Sequence, residues 1–267
     1  MTRINSPIQP PGKTAPRIAL TVDLGTVGSA GDNVTAIRQF VQLVGEHHLD
    51  TTWAVSHPCQ LSWVATLQNS STSHDLAINI TWATPDLSQR KFQQRFRNQW
   101  QACERVGIVP TTIYSPSPNF LRQQLSHMSQ YGLTACIIGQ PMETKQGRWQ
   151  RENSECIPRP LPLGLWQLPT TEQIPNQRSW LRSTPAHRLP GTKRRRTVMP
   201  DMHVLIGAEQ VLAHRSSGMK QLDHFLRKAS WASSAEQLDV ITVTKWATAM
   251  ARRTTAKPQR SILRIAA

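Results

Sequence analysis

Acidic side chains are scarce in this sequence. The 267 residues include 16 Asp and Glu against 31 Lys and Arg, a formal net charge of +15, which predicts attraction to polyanions such as nucleic acid, anionic lipid or acidic glycans. Cysteine is sparse too. Cys59, Cys103, Cys136 and Cys156 stand at spacings that match neither a Cys-x-x-Cys metal knuckle nor a dense disulfide framework, and they read as small buried hydrophobes. Long apolar runs are missing. No stretch approaches the ~18 residues needed to span a bilayer, and Met1 to Lys13 holds Pro and polar residues where a signal peptide needs apolar ones. The expectation is a cytoplasmic protein with no membrane segment.

Hydrophobic content of 38%, a mean hydropathy of -0.43 and 19 Pro predict that part of the chain is loop. The length still suffices for one large core. Residues 1–16 read as a disordered leader. The excess charge concentrates in two places: a Pro-containing insert over 171–200, whose cations run from Arg178 to Lys193-Arg194-Arg195-Arg196, and the stretch from Lys245 to Arg264, which ends in a basic tail over 251–267. Both are candidate sites of nonspecific polyanion contact, over 178–196 and 245–264. No aromatic is interleaved with the Lys-Arg-Arg-Arg run, which speaks against a stacking platform for single strands.

Between these segments strands and helices alternate. Arg17 to Asp23, Thr51 to Ser56, His74 to Ile80, Thr111 to Tyr114, Thr134 to Ile138, Gly164 to Pro169 and Asp239 to Thr244 are apolar, β-rich runs. Helical periodicity covers Val34 to Leu49, Cys59 to Gln68, Asp86 to Arg105, Asn119 to Tyr131, Met202 to His214 and Gln221 to Trp231. Strand-helix alternation over about 250 residues predicts an α/β fold with a parallel sheet closed into a β/α barrel. In such barrels the chemistry sits where strands end, which singles out Asp23, the Asn79-Ile80 pair, Tyr114-Ser115 and the Gly164 to Leu168 strand.

The order of these features resembles the polysaccharide deacetylase family, the NodB homology domain of the family 4 carbohydrate esterases. Thr21-Val22-Asp23-Leu24-Gly25 is similar to the family's opening T-F-D-D-G, and Thr51 to Val55 to its A-T-F-F-V strand. His74 to Leu87 resembles G-H-E-I-G-N-H-T-W-S-H-P-D-L, Ile113 to Pro118 stands where the family has F-R-x-P, and Gly164 to Pro169 resembles its G-x-x-E-x-P strand. Met202-His203-Val204 resembles the final histidine-bearing motif. The match runs from about Arg17 to Met250. It implies a distorted seven- or eight-stranded β/α barrel over 17–250 and, for the family's enzymes, removal of acetyl groups from sugars by a divalent metal held by one Asp and two His.

The resemblance assigns Asp23 as the base and His203 as the acid. It puts Leu24 at the metal-binding Asp, Ile80 and Thr84 at the two metal histidines, and Ser115 at the arginine that orients the base. A divalent cation needs several N or O donors at about 2.0 to 2.3 Å, and Leu and Ile offer none. The expected metal set is therefore empty and no cofactor is expected. His57, His74, Asp75 and a shifted Asn79 are the substitutes the sequence offers. Asp23 also reads as a turn cap, and His203 as a helix N-terminal residue after Pro200-Asp201. Trp82, Trp166 and Tyr114 are candidate sugar-contacting residues. Three functions follow as expectations: a metal-deficient pseudoenzyme or carbohydrate-binding protein; an active hydrolase removing acetyl groups from an amino sugar or another C-N substrate; and a basic polyanion-binding protein.

Overall fold

The computed structural model describes residues 15–25, 34–65, 72–84, 86–115, 124–138, 158–170, 172–174 and 201–255. The leader up to residue 14, nearly all of the basic insert and the end of the basic tail lie outside the described residues.

The strands are β1 (Arg17–Asp23), β2 (Thr51–Val55), β3 (His74–Asn79), β4 (Thr112–Ser115), β5 (Ala135–Ile138), β6 (Arg159–Pro160), β7 (Trp166–Pro169), β8 (Glu172–Ile174), β9 (Met202–Gly207) and β10 (Asp239–Ile241). The helices are α1 (Val34–Glu46), α2 (Pro58–Ala65), α3 (Gln89–Arg105), α4 (Ala208–Ala213), α5 (Arg215–Ser234) and α6 (Val243–Thr255), with a shorter helical turn over 124–131. The strands form one sheet in the order β6-β7-β5-β4-β3-β2-β1-β9-β8, and β10 pairs with the first residues of β1. Every pairing except β6 with β7 is parallel.

The sheet curls into a distorted barrel. β7 and β8 lie near opposite ends of the sheet order, yet Pro169 and Glu172 are three residues apart and so within about 11 Å. The Pro169 carbonyl of β7 also reaches the His203 ring of β9, which only a curled sheet allows.

Alternation along the strands separates two surfaces. Leu20 and Val22 of β1, and Leu24 just after it, point outward into a core shared with α1, α4 and α5. Ile78, Ile80 and Ile113 point outward beneath α3, where Phe92, Phe96, Trp100 and Cys103 recur at helical spacing. The inward residues of β1, β2 and β3 are small or polar, Ala19, Ala54 and Ala77 among them, Ile137, Leu168 and Leu205 line the interior from β5, β7 and β9, and Trp246 of α6 packs against them. α6 seats against the barrel floor because side chains there accept its first amides. Val243 N–H donates to Thr52 Oγ1 at 2.9 Å and Thr244 N–H to Asp75 Oδ2 at 3.2 Å.

Three assignments differ from the sequence reading. Met202 to Gly207 is a strand, not the start of a helix; its Val-Leu-Ile run is covered on both faces, a pattern that periodicity alone does not distinguish from a buried helix. Glu172 to Ile174, read as the start of the basic insert, pairs with β9. The C-terminal helix continues to Thr255, past the expected start of the tail at 251.

Candidate functional site

All strand C-termini but that of β6 open on one face of the barrel, and Asp23 ends β1 there, pointing inward. Gly25 follows at φ +52°, a conformation that favours glycine, and its N–H donates to Asp23 Oδ1 at 2.9 Å. A Cβ on Gly25 would lie 2.8 Å from Glu209 Oε1, because the first turn of α4 lays its carboxylate over this turn. The Gly25 carbonyl accepts from the Ser56 hydroxyl and from Gln60 Nε2. Gln60 Oε1 in turn accepts the amides of Ser56 and His57 at 2.8 and 3.1 Å, clamping the end of β2 to the end of β1.

Asn79, the last residue of β3, supplies the second partner of Asp23. Its Nδ2 donates to Asp23 Oδ1 at 2.6 Å, while its Oδ1 accepts the Thr81 amide at 2.8 Å, an arrangement that fixes which end of the amide faces Asp23. Tyr114 pairs with Asn79 across β3 and β4. Burial raises the Asp23 carboxyl to about 6; the bonds from Gly25 and Asn79 pull the other way, and the Glu209 charge adds to the rise. Burial and the Asp23 charge push the Tyr114 phenol well above its usual range. Asp23 Oδ1 thus holds two donors, and no described residue is hydrogen-bonded to Oδ2.

The remaining sequence-assigned residues lie elsewhere. Leu24 and Ile80 are wholly buried in the outer cores, Thr84 is exposed, and Ser115 is buried on the face opposite Tyr114. His203 stands opposite Ala19, four residues below the Gly207 that pairs with Asp23, or about 13 Å down the strand. It is fully buried, its Nε2 is 2.8 Å from Thr21 Oγ1, and burial depresses it to about 4, partly offset by the Pro169 carbonyl. Trp82 has Arg95 over its ring at 4.3 Å, Phe92 beside it at 5.6 Å and Gln99 Oε1 accepting its Nε1–H. Trp166 opens β7, three residues below the mouth, and packs against the interior cluster. Of the expected residues, the structure brings Asp23 and Tyr114 together.

The substitute ligands do not converge either. His74 and Asp75 begin β3 at the opposite end of the barrel, bonded to Trp53 and Thr72 and to Thr244 respectively. His57 follows β2, its amide held by Gln60. Among the described residues no three His, Cys, Asp or Glu side chains gather as metal ligands. The donors described around Asp23, its own carboxylate, that of Glu209 and an amide already committed at both ends, fall short of the three His, Cys, Asp or Glu ligands a divalent metal site gathers.

Two participants escaped the sequence reading. Glu209 was hidden because β9 was read as helix, which erased the strand end it follows. Gln60 carries no motif at all; its role appears only once β1 and β2 are side by side.

No protein-family model and no curated protein sequence matches this chain. Solved structures do. A protein of Mycobacterium smegmatis assigned as a polysaccharide deacetylase superposes with a TM-score of 0.60 at 14% identity, covering 93% of this chain and 94% of its own. The 4-alpha-glucanotransferase of Thermococcus litoralis gives a TM-score of 0.54 at 9% identity, over 88% of this chain and 40% of that one. At these identities the likeness concerns architecture, and the architecture is the mostly parallel, curled barrel of the polysaccharide deacetylase type.

Proposed function

We propose that this protein binds a glycan at the barrel mouth, around Asp23, Asn79 and Tyr114, and that it does so without the metal-dependent deacetylation its sequence resemblance implies. The observation that carries this reading is the Asp23-Asn79 pair. In the position that faces the carboxylate stands a side-chain amide oriented by the Thr81 N–H, and the neighbouring Ile80 and Leu24 turn away into the outer cores. A carboxyl with a titration midpoint near 6 presents, through Oδ2, either a donor or an acceptor to a sugar hydroxyl, and the Tyr114 hydroxyl lies on the next strand but one from β2. The fold likeness to an assigned polysaccharide deacetylase supports a saccharide as the ligand class.

The test is calorimetric titration of the full chain with an N-acetylglucosamine hexamer in the presence of chelator, with metal content and acetate release measured on the same sample. Chelator-independent binding, weakened at least about tenfold by Asn79→Leu, with neither metal nor acetate found, is the expected result. Binding that requires an added divalent ion, or acetate released from the hexamer, overturns the reading in favour of an active hydrolase.

A further inference from the structure

The outer face of α3 carries a charge pattern of which the described fold engages Arg95 alone, over the Trp82 ring. At about 100° per residue, Arg90, Lys91, Arg95, Arg97 and Arg105 fall within an arc of roughly 160° on the side away from Phe92, Phe96, Trp100 and Cys103. All five are exposed, as are Gln94, Asn98 and Gln101 between them, and the only acid on the helix is Glu104. None of the ion pairs among the described residues involves any of these five cations. Arg90 and Lys91 occupy the first turn with no acid beside them, against the helix dipole, and Lys91 and Arg95 are like charges at i,i+4. Burial, and after it the Arg97 charge, holds His127 below its ordinary range.

The face is continuous with the barrel mouth. Asn79 contacts Asp23, Trp82 follows three residues later, and Arg95 lies over the Trp82 ring at 4.3 Å. The apolar side of α3 is buried against the sheet, so the helix has nothing to insert into lipid, and the exposed side holds no aromatic ring on which bases of a single strand could stack. What it offers is guanidinium, ammonium and amide groups in a row about 22 Å long, suited to carboxylate or sulfate groups spaced along a polymer. We infer that the glycan is acidic: a saccharide unit occupies the mouth at Asp23, and the uronate or sulfate groups of adjoining units lie along Arg90, Lys91, Arg95 and Arg97. This rests on the proposed function. It also explains how an acidic polymer tolerates Asp23, since its charges lie over α3 rather than beside that carboxylate.

The experiment measures fluorescence anisotropy of labelled oligogalacturonate and of a heparin-type sulfated oligosaccharide on the full chain, over a salt series. The variants are Arg90→Gln/Lys91→Gln/Arg97→Gln and, matched in charge, Arg194→Gln/Arg195→Gln/Arg196→Gln. The inference expects at least one acidic probe to bind, the α3 variant to weaken it about tenfold or more at low salt, and the difference to shrink as salt rises. The 194–196 variant is expected to have a smaller effect, and the neutral N-acetylglucosamine hexamer to bind the α3 variant as it binds the wild type. The inference is overturned if neither acidic probe binds, if the two variants weaken binding equally, or if a DNA duplex binds as tightly and with the same dependence on α3. Failure of the neutral hexamer to bind at all, with acidic binding intact, would instead sink the reading of the mouth.

Discussion

Replacing Asp23 with Asn should stabilise this protein, and only above acidic pH. In the folded chain the carboxyl is raised from 3.8 to about 6. Two pKa units correspond to roughly 3 kcal/mol between the protonation states. The sign follows from where the proton is held more tightly. The folded state keeps the proton better than the unfolded state, so the Asp23 contribution is most favourable below pH 3.8, declines as pH rises towards 6, and is flat beyond. Asn is isosteric, and its Oδ1 still accepts from the Gly25 amide and Asn79 Nδ2, though without the strength that charge adds to those bonds. The net gain for Asp23→Asn is therefore about 1 to 3 kcal/mol at pH 8 and within about 0.5 kcal/mol of zero at pH 3.5. For a domain of this size that is a rise in Tm of roughly 2 to 10 °C at pH 8. Urea unfolding of both proteins at the two pH values measures it. A variant no more stable than wild type at pH 8, or equally favoured at both pH values, would refute the burial argument.

The His203 imidazole, depressed from 6.5 to about 4, contributes stability that is complete above pH 6.5 and lost as pH falls towards 4. In Asp23→Asn, where the opposing slope is gone, stability at the His203 step should rise steadily between those limits, and a pH series of unfolding midpoints reads it. Thr21→Val removes the hydroxyl 2.8 Å from His203 Nε2 and should cost about 1 to 3 kcal/mol in urea unfolding, with no pocket change. Gly25→Ala puts a Cβ 2.8 Å from Glu209 Oε1 at φ +52° and should destabilise by about 1 to 2 kcal/mol. It should also weaken ligand binding at the mouth by moving the Asp23 turn.

The barrel was legible because its outward faces are written in apolar runs and its helices in a 3.6-residue period; β1, β2, β3 and α3 emerge close to their observed bounds. β9 was not, because Val204-Leu205-Ile206 is apolar on both sides and carries no alternation to separate strand from helix. β8 was masked by the basic composition around it. At the site, Asp23 and Tyr114 could be singled out as strand ends, but which neighbour faces the carboxylate depends on a single-residue shift of register. Asn79 and Ile80 differ by one position and point to opposite sides of the sheet. For Trp82 and Trp166 a sequence shows ring type and strand position, not that Arg95 and Phe92 pack against one ring and the interior cluster against the other.

The seating of α6 against the barrel floor bears on how the chain acquires its shape during synthesis. Four strands contribute alanines to an interior into which Trp246 packs, and the amides that open that helix are satisfied by Thr52 and Asp75, 191 and 169 residues upstream. A nascent chain that has produced every strand up to β9 therefore still lacks the helix that packs into their interior. The emergence of α6, rather than of any strand up to β9, becomes the moment at which the barrel interior can be completed.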